Sequence, residues 1–349
     1  MPKKNHNKNG SVTLKEVAAE LGVSAMTVSR AVNNSPNVDV KTKKRILAKV
    51  KEMGYTPNLV AKSLVSSKTF TVGVVIPEIS HSFFPDVVRG IEEVLDSKEY
   101  QILLTNTSDN FEKEKKVIQA LKSKRVDGIL ISSSLTTDDF SFYEELINSG
   151  IPIVFFDRCI ENLGASCIKV NDQAATQQIT EHLIKLGYKK IGYLSGPKNV
   201  SIGKARFDGF NMAMIKNGLA IDEKLIVENG YNEKGGYDAM NELLMLPEKD
   251  RPRAIVAVND PVAFGAMDAI KEANLRIPED IAIVGFTNDI RAKLVTPPLT
   301  TVNQPAYDVG KKAASKLIAT IQEKGDLVEN VELITSLVIR ESCGSQLKN

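Results

Sequence analysis

The 349-residue sequence has no tryptophan, three cysteines and three histidines. Each shortage excludes a class of protein. Cys159, Cys167 and Cys343 show no CxxC or metal-ligand spacing, and they fit reduced thiols in a cytosolic protein. His6, His81 and His182 are isolated, so no histidine-based metal or catalytic cluster is expected. No apolar run reaches the roughly 20 residues of a membrane span. The first residues are polar and lack the apolar core of a signal peptide, so a cytoplasmic chain without membrane contact is expected. Walker, GxSxG and HExxH motifs are missing. The segment GPKNVSIG is bounded by glycines but lacks the Gly-Lys-Ser ending of a phosphate loop. Asp157 and Asp260 are the carboxylates that could act as a pair, and ligand binding suffices to explain them. No catalytic residue, metal or cofactor is therefore expected.

Charge is unevenly spread. Residues 1–69 hold 13 Lys or Arg against 4 Asp or Glu, a net of +9, while the whole chain is +2, which leaves −7 for the rest. A basic head on an acidic body is what binding of a phosphate backbone by one end requires. Lys3, Lys4 and Lys8 read as a solvated tail; Lys41, Lys43, Lys44 and Arg45 fall in a structured segment and carry more weight.

Within the head, VTLKEVAAELGVSAMTVSRAVNN (12–34) reads as a helix-turn-helix. Leu14, Val17, Ala18 and Leu21 share one helical face. Thr13 is at the N-cap, with Glu16 three residues on to close a capping box. Gly22 ends the helix, and Ser24 caps a second one carrying Ala25, Met26, Thr27, Val28, Ser29 and Arg30. Two short helices across so tight a turn can place the second in a DNA major groove; a plain helical hairpin is the alternative. A third helix is expected over about 40–53, with Ile46, Leu47, Val50 and Met53 apolar, Gly54 as its stop and Tyr55 packed back on the core. In YTPNLVAKSL (55–64), Pro57 forces Thr56 to extend. Asn58 can then cap a helix too short to persist alone. A symmetry-mate helix and a DNA minor groove would support it; an interdomain linker is the alternative.

TLKEVAAELGVSAMTVSRAVNN, then GYTPNLVAKSL, then TVGVVIPEISHSFF together resemble the lactose-repressor (LacI/GalR) family of bacterial transcription regulators, over nearly the whole chain from about Val12 to Arg340.

After Phe70, apolar strand-like runs alternate with helices. One series is 71–77, 101–107, 127–133 and 152–157; a second is 167–171, 189–195, 226–230, 253–259 and 281–286. Such alternation argues for parallel sheets covered on both faces. Two series argue for two doubly wound lobes, with a ligand cleft at the carboxyl ends of the strands. The expected architecture is an N-terminal all-α helix-turn-helix head plus an α/β periplasmic-binding-protein-like body of two doubly wound lobes. The expected divisions are a basic tail (1–11), head (12–56), hinge (57–69), body (70–342) and tail (343–349). The resemblance implies that each lobe is discontinuous: about 70–168 with 302–330, and about 169–300 with 331–342.

Candidate pocket residues sit at strand ends: Phe83, Phe84, Asp157, Arg206, Tyr231, Asn259, Thr287 and Asn288. Aromatic faces can stack on a sugar ring or base; core packing, caps and surface ion pairs are the plainer readings. The resemblance aligns the family's effector-contacting positions with Phe84, Asp157, Arg206, Tyr231, Asn259 and the pair Thr287–Asn288. Many relatives carry two aspartates at that last pair, so this chain departs from the pattern there, and the departure marks a weaker sugar site or a different effector.

By resemblance and physics together, the expected protein is a homodimeric repressor on a pseudo-palindromic operator in double-stranded DNA. Arg30 is the candidate for a guanine edge. Ala25 and Met26 align with the family's specificity pair and can press on a thymine methyl. Thr13, Ser24, Thr27, Ser29, Asn33 and Thr42 are candidate phosphate contacts. Tyr55 and Asn58 support the head and hinge. Leu64 resembles the family's minor-groove wedge, flanked by Ala61 and Lys62. A small carbohydrate bound between the lobes is the expected effector; a nucleobase, sugar acid or phosphorylated corepressor is the alternative, and a solute-binding protein without a DNA role is a more distant one. Glu332 to Arg340 reads as one strand-like run, and the short polar tail after it has no heptads, which favours a dimer.

Overall fold

The computed structural model describes residues 12–32, 34–55, 68–134, 140–160, 162–322 and 328–348. The chain divides into two compact units, residues 1–69 and 70–349.

The first unit holds α1 (Leu14–Leu21), α2 (Ala25–Val32) and α3 (Val40–Glu52). Each start is capped. The Thr13 N–H donates to the Glu16 carboxylate at 2.7 Å and the Glu16 N–H donates back to Thr13 Oγ1 at 3.3 Å. The Thr27 N–H donates to Ser24 Oγ at 3.1 Å, and the Thr42 N–H to Asp39 at 3.0 Å. Gly22 and Gly54, both at φ 66°, turn the chain out of α1 and α3. Val17, Ala18, Val28, Ala31 and Ile46 form the core, with Tyr55 packed on its edge. Leu47, expected on the apolar face, is 42% exposed. The core of so small a unit closes over Ile46, Val50 and Met53 and leaves the next position on the rim. Asn33, and the hinge residues Asn58, Ala61, Lys62 and Leu64, lie outside the described residues.

The second unit is two six-stranded sheets, each covered by helices. The first lobe is built from β1 (Thr71–Ile76), α4 (Phe83–Asp96), β2 (Gln101–Asn106), α5 (Phe111–Ser123), β3 (Gly128–Ile131), α6 (Ser141–Asn148), β4 (Ile153–Phe156) and β5 (Ser166–Val170). The chain then enters the second lobe through α7 (Asp172–Lys185), β6 (Ile191–Ser195), α8 (Ser201–Lys216), β7 (Ile226–Glu228), α9 (Glu233–Leu244), β8 (Ala254–Ala257), α10 (Asp260–Glu272), β9 (Ala282–Thr287) and β10 (Thr300–Asn303). It returns to the first lobe for α11 (Ala306–Gln322) and β11 (Asn330–Leu333), and crosses back for β12 (Ser336–Val338). The strand orders are β11-β5-β4-β3-β1-β2, all parallel, and β12-β10-β9-β8-β6-β7, parallel except β12. In the first lobe Val72, Val74 and Ile76 face one helical layer while Val75, Ile129, Ile131 and Phe155 face the other, the burial of both faces that a parallel sheet requires. Helices α4 and α11 meet backbone to backbone: a Cβ on Gly90 would lie 2.0 Å from the Tyr307 carbonyl, and one on Gly310 2.0 Å from that of Val87.

Four features depart from the sequence reading. The run 167–171, expected to open the second series, is β5 and pairs with β4 and β11 in the first sheet. Residues 332–340, expected as one strand, split between the sheets at Ile334, which is 92% exposed. Periodicity reports burial and not partners, so neither outcome is visible in an apolar pattern. Cys159 and Cys167 are joined in a disulfide, where reduced thiols were expected. The side-by-side pairing of β4 and β5 brings the turn leaving β4 over β5, although the two cysteines have no motif spacing. Finally, Cys343, expected in a polar tail, is fully buried in the core, and Ser342 before it accepts from the Thr300 N–H and donates to the Ile283 carbonyl.

Candidate functional site

In the head, α2 displays Met26, 63% exposed, and an exposed Arg30, while Val28 and Ala31 face the core. The helical period therefore turns Met26, Ser29 and Arg30 away from the core as one face, while Ala25, half-buried, packs against the core's edge. Ser24 and Thr27, which bond to each other at 2.8 Å, stand at its N-terminal end. Thr13 is the N-cap of α1 and Thr42 lies in the first turn of α3, at the positive ends of the two helix dipoles, which favour phosphate. Arg45, weighted in the sequence for phosphate binding, donates to the Leu21 carbonyl at 2.7 Å and so caps the end of α1.

In the body, a cavity of about 410 Å³ lies between the lobes at the carboxyl ends of their strands. Seven of the eight predicted pocket residues line it: Phe83, Phe84, Asp157, Arg206, Tyr231, Asn259 and Thr287. Asn288 does not. Its Nδ2 donates to Asn303 at 3.0 Å and its Oδ1 accepts from Arg340 at 2.7 Å, so it braces the turn after β9. That turn holds Thr287 at φ 130° and Asn288 at 61°, conformations that need such bracing.

Arg206 is 2% exposed. Its Nε donates to Asp172 at 2.7 Å, its Nη1 to the Val258 carbonyl at 2.8 Å, and its guanidinium stacks 3.8 Å from the centre of the Phe286 ring. Burial works against its charge, but Asp172 and Asp157 outweigh that and hold its pKa above the ordinary value. The guanidinium is thus a fixed cation in the cavity wall. Asp157, at φ 58°, accepts from Gln304 at 3.1 Å. Burial raises its pKa to about 6 against the opposing pull of Arg158 and Arg206. Asn259 caps α10 through the Val262 N–H at 2.9 Å and donates to the Tyr231 carbonyl at 2.8 Å, so its cap and cavity placements coexist. Phe83 and Phe84 meet edge to face, 5.1 Å between ring centres.

Sequence reasoning missed several cavity residues. Arg158 pairs with Asp109 and lies 5.1 Å from the centre of the Tyr231 ring on the other lobe. Arg158 Nε and Tyr231 Oη are buried with no hydrogen-bond partner among the described residues. Asp289 also lines the cavity, two positions beyond Thr287. His81 lies 3.7 Å from Glu233 across the cleft. The signal for Arg158 and Asp109 was position alone: both follow strand ends. Asp260, the possible partner of Asp157, does not line the cavity; its carboxylate accepts from the Asp289 N–H and the Thr301 hydroxyl.

A helix-turn-helix that exposes Met26 and Arg30 on its second helix, followed by a two-lobed body whose interlobe cavity is lined by aromatic and charged side chains, defines a ligand-responsive DNA-binding regulator. Residues 13–58 match the family described as bacterial regulatory proteins, lacI family, and residues 69–341 match that of periplasmic binding proteins and sugar binding domain of LacI family. The chain is 35% identical over 334 residues to the HTH-type transcriptional regulator RegA of Clostridium saccharobutylicum, covering 95% of this chain and 99% of that one. Among solved structures, the Lac repressor dimer bound to operator and the anti-inducer ONPF superposes with a TM-score of 0.86 at 28% identity, over 95% of this chain and 99% of that one. The transcriptional regulator CelR in complex with cellobiose gives 0.73 at 29% identity, with the same coverage. The chain belongs to the LacI family: it is a DNA-binding transcription regulator whose body takes a small-molecule effector. No helix among the described residues is long and apolar enough to cross a membrane.

Proposed function

We propose that this chain is a cytoplasmic homodimeric repressor that binds a pseudo-palindromic operator and is controlled by a neutral carbohydrate in the interlobe cavity. The observation that carries the ligand class is the cavity's charge balance. Glu78, Asp109, Asp157 and Asp289 line it against Arg158 and Arg206. A surplus of carboxylate acceptors beside fixed donors suits hydroxyl groups and repels a sugar acid or phosphate. Asp289 supplies the acceptor that many relatives carry at the positions of Thr287 and Asn288. Phe83, Phe84 and Tyr231 offer apolar faces to a sugar ring. In solved relatives, a sugar occupies CelR, and the Lac repressor dimer binds operator with an anti-inducer.

On DNA, Arg30 reads a guanine edge, Ala25 and Met26 press on thymine methyls, and Thr13, Ser24, Thr27, Ser29 and Thr42 position the head on phosphates. Asn33, Tyr55, Asn58, Ala61, Lys62 and Leu64 complete the contact set. Two heads on a two-fold axis require two half-sites. A DNA target is the support for the cytoplasmic assignment. The reading as a binding protein without catalysis is supported by Asp260, whose carboxylate is occupied within the second lobe.

The test is selection of genomic DNA fragments by the purified protein with and without neutral sugars and, in parallel, sugar acids. A two-fold symmetric motif whose recovery changes with one neutral sugar is the expected result. A motif that responds only to a sugar acid would overturn the ligand class, and no motif under any condition would overturn the DNA role.

A further inference from the structure

The turn that leaves β4 carries two cavity residues, Asp157 and Arg158, directly before Cys159. Asp157 is in the left-handed region at φ 58°, which a side chain other than glycine keeps only when its surroundings hold it there. The Asp157 N–H donates to the Ile168 carbonyl at 2.9 Å and the Cys159 N–H to the Asp157 carbonyl at 3.2 Å. The Arg158 carbonyl accepts from Ser133 twice, from its N–H at 3.2 Å and its hydroxyl at 3.0 Å. The covalent tie is the Cys159–Cys167 disulfide, with the two Cα atoms 5.9 Å apart. Cys167 is a firm anchor: it lies in β5 opposite Phe155 of β4, and its N–H donates to the Glu329 carbonyl at 3.1 Å.

We propose that Cys159 and Cys167 form a thiol–disulfide switch that exchanges with low-molecular-weight thiols and disulfides, and that its state sets how firmly Arg158 is held against Tyr231 on the opposite lobe. Both cysteines are buried, but Cys159 lines a second cavity, of about 590 Å³, and Cys167 does not. That cavity shares Asp157 and Ile202 with the first. A small thiolate that enters it meets the sulfur of Cys159. Its attack forms a mixed disulfide on Cys159 and expels Cys167 as a thiolate. A second small thiolate attacks the outer sulfur, releases the small-molecule disulfide and leaves Cys159 as a thiolate; two protons complete the thiols. One protein disulfide and two small thiols thus become two protein thiols and one small disulfide, with two electrons passing to the protein. Oxidation is the reverse, with a small-molecule disulfide as the oxidant.

Once the bond opens, the strained turn keeps its hydrogen bonds, the Asp109 ion pair and the packing of Ile160 but loses its covalent tie. The Arg158 guanidinium then samples more positions, and Tyr231 loses a fixed cationic neighbour across the cleft. The link to effector affinity rests on the cavity reading above; the switch itself does not.

The test uses full-length protein and the Cys343→Ser variant, which removes the third thiol. Each is equilibrated in glutathione buffers of graded ratio, its free thiols are counted by alkylation and mass, and its backbone hydrogen exchange is measured. Cys159 and Cys167 are expected to titrate together as a two-electron couple. Reduction is expected to speed exchange about threefold or more at 156–160 and also at 229–232, across the cleft. A purely local staple would not move the second segment. Cys159→Ser with Cys167→Ser should show the reduced pattern in every buffer. The proposal fails if both thiols stay free in the most oxidising buffer, if 229–232 exchanges equally in both states, or if the double variant keeps the oxidised pattern. No effector is needed for these readouts, so failure here leaves the ligand assignment standing, and the reverse also holds.

Discussion

Ser82, at the start of α4 on the first lobe, donates its hydroxyl to the carboxylate of Asp289 on the second lobe at 3.0 Å. Asp289 also accepts from Arg291 at 2.9 Å, and its N–H donates to Asp260 at 2.7 Å. Burial would raise the pKa of Asp289, but the bonds from Arg291 outweigh it and keep the group ionised, its pKa below the ordinary carboxylate value. The contact between the lobes is therefore a charge-assisted hydrogen bond rooted in the core of the second lobe. Arg291 reaches Glu233 at 2.7 Å as well, beside the His81 contact, so one arginine orders both second-lobe anchors of the closed cleft.

Ser82→Ala removes that bond without adding bulk. A hydrogen bond to a charged group contributes about 1.5–3 kcal/mol, so the variant should populate an opened body. Small-angle scattering without ligand is expected to show a larger radius of gyration, with faster hydrogen exchange at 80–84 and 287–291. An unchanged radius and unchanged exchange would mean that other contacts close the cleft.

Arg206→Ala leaves Asp172 buried without its cation. Breaking one partner of a buried pair costs about 3–5 kcal/mol, and urea denaturation should read a loss of that size. Arg206→Lys keeps the charge but not the fork that spans Asp172 and the Val258 carbonyl. It should fall between the two and still lose effector response.

Glu114 gives a pH signature. It is fully buried, accepts from the Ser134 N–H at 2.8 Å and from the Tyr143 hydroxyl, and burial raises its pKa from 4.5 to about 7 against the bonds from Ser134. Between those values the native state binds the proton that the unfolded chain has released. The group's contribution is present below pH 4.5 and is lost as pH rises to about 7. Glu114→Gln does not titrate. Wild type should lose stability relative to this variant by on the order of 1 kcal/mol per pH unit in that window. Parallel denaturation curves at every pH would contradict the burial argument.

Helices, strands and seven cavity residues were legible because helix caps, apolar periods and the ends of parallel strands are local or positional signals. Thr13 and Glu16 spell a capping box by residue type and spacing alone, Tyr231 follows from the end of β7, and Arg206, inside α8, is what the family resemblance implies. What escaped depends on pairing across distance. The sheet that receives β5, the split at Ile334 and the union of Cys159 with Cys167 are set by neighbours far apart in sequence or by a turn's direction. Asn288 shows the same limit inside the site. Its place after β9 suggested the cavity, but two successive left-handed residues turn its side chain toward Asn303 and Arg340.

Arg30→Ala tests the reading of the head. A good bidentate base contact discriminates by about 1–3 kcal/mol. The variant should lose most of its preference for the selected operator while its nonspecific binding, measured at the same salt, changes little. Equal losses on both DNAs would make Arg30 a phosphate contact.

The central claim is that one chain couples the interlobe cavity to DNA. The most direct measurement is the affinity of wild-type protein for its selected operator, by fluorescence anisotropy, with and without a saturating amount of the sugar found in the selection. Coupling of about 1–3 kcal/mol predicts a change of about 5- to 150-fold, abolished in Arg206→Lys. An operator affinity that stays the same while the sugar demonstrably occupies the protein would contradict the account.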